Sequence, residues 1–204
     1  MILATHNSLS SYAPKKWWMK MLNPFARCQS LSIEEQYKRG VRMFDIRVRP
    51  HTWEASHGLV RYDISVPSAL RWLDAQKDVV VRLCCEDLRI SNYNDGYELR
   101  WFVDYFEQCE QTYRNIKFCG GYMKSGWTKV INVRDPEYLE LYRTFNAYKS
   151  QRGWKAKLKS IVEYIKHPMP EYWARKDNAR YLDENENYNG YLMLDFIEYD
   201  TEDK

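Results

Sequence analysis

At 204 residues the chain is long enough to bury a sizeable core, and it reads as one domain over residues 1–204. Its 31 Lys and Arg against 28 Asp and Glu leave a net charge of +3, too small for a nucleic-acid binder but mildly favourable towards an anionic surface. Five cysteines (Cys28, Cys84, Cys85, Cys109 and Cys119) are an odd number without C-x-x-C spacing, which indicates buried free thiols and neither a disulfide framework nor a zinc site.

No run has the length of a membrane span, and Ile2 to Ala4 is too short for the apolar core of a signal peptide. A cytoplasmic protein is expected, with peripheral membrane contact. Ile2 to Thr5 reads as a first strand, with His6 at its C-terminal end and Asn7 next. Lys15 to Met21 then sets Trp17 and Trp18 among lysines and methionines. That mixture suits a membrane interface, where indole rings lie at headgroup depth. The alternative is a small helix that packs one or both tryptophans into the core.

Ser32 to Gln36 opens a helix, with Ser32 as N-cap and Glu35 as its capping-box partner, and Gly40 ends it. Val41 to Val48 follows as a strand that carries charges where a buried strand is apolar. Val41, Met43, Asp45 and Arg47 share one face; Arg42, Phe44, Ile46 and Val48 share the other. A carboxylate beside a guanidinium on a sheet is costly to desolvate unless the two pair or line a polar pocket. His57 comes ten residues on, and Gly58 after it allows close backbone approach to a ligand. His51, in the loop between, is expected to be solvent-exposed. Two histidines with an Asp and an Arg are the parts needed for acid–base chemistry on a phosphate ester.

Ser65 to Gln76 reads as an amphipathic helix with Val66, Leu70 and Leu73 inward. Val79 to Glu86 is a third strand with Arg82, Cys84 and Glu86 on one face, where Arg82 and Glu86 either pair with each other or take part in binding. A helix over 97–114, a strand from Asn115 to Gly120, a strand or excursion from Trp127 to Val133, and helices from Tyr138 to Tyr148 and Trp154 to Ile165 follow. Pro168 and Pro170 break the pattern, so Glu171 to Asn189 is expected to be loop-rich, with Tyr172, Trp173 and Arg175 as candidates for contact with a sugar ring. Tyr191 to Phe196 is the last strand, with Asp195 at its end, where parallel barrels keep functional groups.

Residues 4–8 (ATHNS), 32–48 (SIEEQYKRGVRMFDIRV), 56–58 (SHG) and 190–196 (GYLMLDF), in that order, resemble the catalytic X region of phosphatidylinositol-specific phospholipase C, particularly its bacterial, metal-independent branch. The resemblance runs from residue 2 to about residue 90 and again over 190–198. It implies an α/β fold, a TIM (β/α) barrel of the phospholipase C-like phosphodiesterase type. That barrel must be trimmed or distorted, since a full one takes about 250 residues. The implied reaction is cleavage of phosphatidylinositol to diacylglycerol and a cyclic inositol phosphate. In it His6 is the general base, Asp195 fixes the His6 tautomer, His57 protonates the leaving oxygen, Arg47 neutralises the nonbridging oxygens, and Asp45 holds Arg47 or His57.

Asn7, Arg82 and Glu86 are candidate substrate-binding residues, and Trp17 and Trp18 candidate membrane contacts. Arg47 stands where animal relatives carry the second of two calcium-binding acids, so no metal or other cofactor is expected. Asn7 matches the calcium-dependent members, where the bacterial branch has Asp, and calcium is therefore the alternative cofactor. The partners implied are a phospholipid substrate and a membrane surface. Two other readings remain: a phosphodiesterase for another headgroup, glycerophosphodiester or sphingolipid, and a noncatalytic barrel that binds a lipid or a partner.

Overall fold

The computed structural model describes residues 1–49, 51–86, 100–122, 135–142 and 154–200. Six strands form one sheet: β1 (Ile2–Thr5), β2 (Val41–Val48), β5 (Val80–Cys85), β6 (Lys117–Tyr122), β7 (Tyr138–Glu140) and β8 (Tyr191–Leu194). Their order is β6-β5-β2-β1-β8-β7, and every pair is parallel. The sheet curls into a half barrel, the trimmed barrel expected from the sequence. A small antiparallel hairpin, β3 (Ser56–His57) with β4 (Val60–Arg61), sits beyond the end of β2. The helices are α1 (Met19–Ala26), α2 (Ile33–Lys38), α3 (Val66–Asp74), α4 (Arg100–Thr112), α5 (Trp154–Lys166) and α6 (Pro170–Glu184).

Alternation along the strands separates two layers. Phe44, Ile46, Val48, Val81 and Leu83 face the helices and bury against Leu70 and Leu73 of α3 and Phe102 and Phe106 of α4. The opposite, concave face holds one apolar layer of Ala4, Met43, Val80, Cys119 and Met193. Register creates that layer, because Ala4 pairs with both Met43 and Met193, and Met43 pairs with Val80. Two residues further along β2 and β5, the same face carries Asp45 opposite Arg82, and Arg47 opposite Cys84. The apolar layer thus closes the bottom of the half barrel, and the charges sit above it towards the C-terminal rim.

Local chemistry fixes the connections. Ser32 and Glu35 form the expected capping box, and Gly40 leaves α2 with φ +93°. Ser65 caps α3, whose Val66, Leu70 and Leu73 are buried as expected. Gly120 is needed at φ +100°, where a Cβ would approach the Leu83 carbonyl oxygen to 2.9 Å and the Arg82 stem to 2.9 Å. All five cysteines are buried, and no disulfide joins them among the described residues.

Two expectations are corrected. Tyr138 to Glu140 is the edge strand β7, paired with β8, and not the start of a helix; residues 143–148 lie outside the described residues. Pairing to an available sheet edge overrides a weak helical pattern. Residues 170–184 form α6 where a loop was expected, because Pro170 occupies the first helical turn, where its missing N–H costs nothing. The face that α6 buries includes Asp177 and Asn178 beside Trp173, Ala174 and Leu182, so its stripe does not stand out as apolar. Trp127 to Val133 also lies outside the described residues.

Candidate active site

The site assembles from strand ends. β1 and β8 are neighbours with Thr5 opposite Leu194, so the residues that follow, His6 and Asp195, emerge side by side. His6 Nδ1 donates to Asp195 Oδ1 at 2.7 Å, with both side chains nearly buried. Gln29 locks this junction: its Nε2 donates to the carbonyls of His6 (3.1 Å) and Leu194 (2.9 Å), and its Oε1 accepts from Ile197 N (3.2 Å). Asn178 of α6 donates from Nδ2 to the carbonyls of Asp195 (2.8 Å) and Phe196 (3.1 Å). The Tyr142 ring stacks on His6 at 3.9 Å between centroids, with planes 3° apart.

Asp45 is the hub of the charged layer. Its Oδ2 accepts from Arg47 Nε (2.8 Å) and from the Asn7 backbone N–H (3.0 Å); its Oδ1 accepts from Arg82 Nη1 (2.9 Å). Cys84 Sγ lies 3.6 Å from the same Oδ1. Burial acts to raise the Asp45 pKa, but Arg47 and Arg82 hold the carboxyl well below the usual carboxylate range. Burial likewise acts to lower Arg47, and Asp45 and Glu86 reverse it, so Arg47 stays charged. Arg82 also donates from Nε to Asp135 Oδ2 at 3.1 Å. Of the two alternatives for Arg82 and Glu86, mutual pairing is not the one that forms: Arg82 is held by Asp45 and Asp135, whereas Glu86, just past β5, lies 3.9 Å from Arg47 Nη1.

His57 stands across from this rim. Its ring centroid is 5.4 Å from that of His6, with the planes at 88°. His57 Nδ1 donates to the Ala26 carbonyl at 2.6 Å, which uses a C-terminal carbonyl of α1 that lacks a helical partner. Tyr62 Oη donates to the same carbonyl at 3.2 Å. Cys28 Sγ lies 3.5 Å from both the Ala26 oxygen and His57 Nδ1. Burial, then the charge of Arg47, lower the His57 pKa against the opposing pull of Glu86. Burial and the Asp195 carboxylate push the Cys28 thiol well up.

Gly58 takes the first place of the two-residue β3–β4 turn with φ +55°, and its N–H donates to Glu86 Oε1 at 2.7 Å. A turn, not close approach to a ligand, is what requires glycine there. Glu86 thereby ties the hairpin that carries His57 to the strand that carries Arg82.

His6, His57, Asp45, Arg47, Asp195, Asn7, Arg82 and Glu86 thus come together at one rim. Asn7 adopts φ +43°, and both polar atoms of its side-chain amide are buried with no hydrogen-bond partner among the described residues. His51 is exposed, as expected. Trp17 is 75% exposed, but Trp18, expected beside it at a membrane surface, packs against the core instead because the two adjacent side chains leave the backbone on different sides of the turn into α1. Met21 and Phe25 of α1 and Leu59 of the hairpin turn are exposed as well. Trp173 is buried and donates from Nε1 to the His167 carbonyl, so it serves the core and not a sugar ring.

Reading the sequence missed Cys28, Gln29, Tyr142 and Asn178. Asn178 had a signal in its four-residue spacing from Ala174 and Leu182. The other three lie far from their partners in the chain and carry no local mark.

No protein-family model matches the chain, and no curated protein matches it in sequence. Solved structures match it in fold. The phosphatidylinositol-specific phospholipase C of Listeria monocytogenes aligns with a TM-score of 0.58 at 17% identity, over 98% of this chain and 89% of that one. A variant of the Staphylococcus aureus phosphatidylinositol-specific phospholipase C gives 0.56 at 16% identity, over 96% and 84%. Another form of the S. aureus enzyme, carrying a pentafluoro-Phe, gives 0.57 at 16%, over 96% and 85%. At such identities the likeness establishes the fold, a mixed α/β chain built on a curled parallel sheet of the distorted TIM-barrel type. No helix among the described residues is long and apolar enough to cross a membrane.

Proposed function

We propose that the chain is a phospholipase C-like phosphodiesterase that cleaves a phosphatidylinositol-type phosphodiester at a membrane surface. The observation that carries this reading is the perpendicular His6–His57 pair, 5.4 Å apart, with a carboxylate on one ring and a guanidinium–carboxylate pair on the same rim. With Nδ1 held by Asp195, His6 offers Nε2 to take the proton of the inositol 2-hydroxyl as that oxygen attacks phosphorus. His57 gives a proton to the glycerol oxygen as the phosphorus–oxygen bond breaks, which leaves a cyclic inositol phosphate and diacylglycerol. Arg47, fixed by Asp45, sets its positive charge against the charge on the nonbridging oxygens. The buried, unpartnered amide of Asn7 supplies a donor and an acceptor for a substrate hydroxyl.

The reading takes the reaction to be metal-free. Both oxygens of Asp45 are already engaged by guanidinium and backbone donors, and Glu86 faces Arg47. Among the described residues of the rim, only the Asn7 amide and Glu86 Oε2 lack a hydrogen-bond partner, and Glu86 Oε2 lies 3.9 Å from the Arg47 guanidinium, so the oxygen donors that a calcium ion needs in number are not assembled. Trp17, Met21, Phe25 and Leu59 would meet the lipid, on the side of the site where α1 and the hairpin hold His57.

The test is product analysis by phosphorus NMR on phosphatidylinositol micelles with chelator present, comparing the wild type with His6→Ala and His57→Ala. Cyclic inositol phosphate from the wild type and from neither variant is the expected result. Turnover that needs added calcium would overturn the metal-free mechanism, and turnover of a different phosphodiester alone would move the substrate to another headgroup.

A further inference from the structure

We propose that His6, Cys28 and His57 form a binding site for a thiophilic divalent cation of the zinc type, and that zinc bound there switches off the chemistry of the rim. One nitrogen of each imidazole and the Cys28 Sγ all lie within 4.8 Å of one another. Cys28 Sγ is already 3.5 Å from His57 Nδ1. Tetrahedral zinc, with bonds of about 2.0–2.3 Å, holds its ligand atoms roughly 3.3–3.8 Å apart, so the triangle closes with side-chain shifts on the order of 1 Å.

The three donors come from separately anchored pieces of backbone. His6 follows β1 and is clamped by Gln29; Cys28 N donates to Ser10 Oγ at 2.9 Å; His57 sits in the hairpin that Gly58 ties to Glu86. His6 has the outer support typical of a metal ligand: its Nδ1 is held by the Asp195 carboxylate, which leaves its lone pair on Nε2. His57 binds through Nδ1, the nitrogen next to Cys28 Sγ, in exchange for its hydrogen bond to the Ala26 carbonyl. One thiol with two imidazoles selects zinc over magnesium or calcium, and three protein ligands leave the fourth position to water or an anion.

Zinc on His6 Nε2 takes the lone pair that a general base needs. Inhibition therefore rests on the phosphodiesterase reading, whereas binding does not. Cys28 is the ligand that reading leaves unused. Positions 6, 28 and 57 share no short spacing, which is why the sequence shows no zinc motif.

The experiment titrates the full chain with cobalt(II), followed by absorption, and with zinc against a competing chromophoric chelator. One equivalent of cobalt is expected to give tetrahedral d–d bands and a thiolate charge-transfer band. Cys28→Ser is expected to abolish the charge transfer. Asp195→Asn is expected to keep it and weaken affinity about 10–100-fold, the usual effect of losing an outer-shell partner. X-ray absorption on the zinc-loaded wild type, which needs no variant to fold, should count one sulfur and two imidazoles. Absence of stoichiometric binding, charge transfer that persists in Cys28→Ser, or a coordination shell without sulfur would overturn the site.

A chain that hydrolyses phosphatidylinositol without binding zinc sinks this inference alone. A chain that binds zinc through Cys28 but turns over no phosphodiester sinks the functional reading and leaves the site standing. Where both hold, zinc is expected to stop turnover and chelator to restore it; turnover that continues with the site filled would refute the inhibitory role.

Discussion

Asp45 and Arg82 stand opposite each other in the β2–β5 register, and Arg82 donates to Asp45 at 2.9 Å inside the curl of the sheet. With Arg47 and Asp135 they form a chain of two carboxylates and two guanidiniums, and Glu86 lies 3.9 Å from the Arg47 end of it. Asp45→Asn leaves two buried guanidiniums short of an anion, whereas Arg82→Met leaves Asp45 still paired with Arg47. Asp45→Asn is therefore expected to be the costlier change, with a loss of about 3–5 kcal/mol, as for a buried pair broken from one side. Urea denaturation of the two variants checks the order; a larger loss for Arg82→Met would place the anchor of the layer elsewhere.

The same carboxylate sets a pH dependence. The folded Asp45 pKa lies well below the unfolded value of about 3.9, so below that pH the unfolded chain binds more protons and stability rises with pH. The contribution is complete above about pH 5 and is lost as pH falls through the unfolded value towards the folded pKa. In Asp45→Asn, urea midpoints between pH 2 and 5 should follow a shallower slope than in the wild type. Parallel slopes would mean that Asp45 is not the group being titrated.

Gln29 gives a prediction that the sequence alone did not. Gln29→Leu strips partners from the carbonyls of His6 and Leu194 and from the N–H of Ile197 in a fully buried setting. At about 1–3 kcal/mol for an orphaned buried group, with partial relaxation, a loss on the order of 3 kcal/mol is expected. Under the proposed function, turnover should fall beyond what unfolding explains, because the same bonds hold the His6–Asp195 junction. Full activity per folded molecule would show that the clamp serves stability alone.

How far the sequence could be read follows from what each residue depends on. The His6, Asp45, Arg47, Asp195 set was legible because charge or imidazole at a strand end is a local anomaly, and strand alternation fixes which side chains share a face. The β2–β5 register was not legible, so Arg82 could not be matched with Asp45 in place of Glu86. Pairing across a parallel sheet joins segments separated by a whole crossover, and no short-range pattern encodes it. Gln29 and Cys28 were silent for the same reason: each meets its partners through a loop whose path is set by the finished fold. α6 was hidden because the face it buries includes Asp177 and Asn178, of which Asn178 serves the β8 end.

Trp17 and Trp18 separate surface from core. Trp17→Ala removes an exposed ring, so stability should change by no more than about 0.5 kcal/mol. Its binding to anionic phospholipid vesicles should weaken about tenfold, the equivalent of roughly 1.4 kcal/mol of apolar burial. Trp18→Ala should instead cost about 2 kcal/mol or more of stability through lost packing on the core. Vesicle sedimentation and thermal unfolding of both variants decide it, and unchanged partitioning of Trp17→Ala would remove α1 from the membrane contact.

The His6–Asp195 bond is the point at which the proposed mechanism is most exposed. Asp195→Asn keeps the size of the side chain and the backbone carbonyl that Asn178 holds, so the fold should persist. An amide in place of the carboxylate can donate to Nδ1, which would favour the tautomer with its proton on Nε2, the nitrogen that must accept the substrate proton. It also withdraws the charge that steadies the imidazolium. Turnover of phosphatidylinositol should fall about 10²–10⁴-fold with KM little changed, since the loss falls on the transition state and not on binding. Asp195→Glu, which keeps the charge at a longer reach, should recover part of that loss. Steady-state kinetics on mixed micelles measures the split: a rise in KM with kcat intact would make Asp195 a binding residue and leave His6 without the partner its role as a base requires.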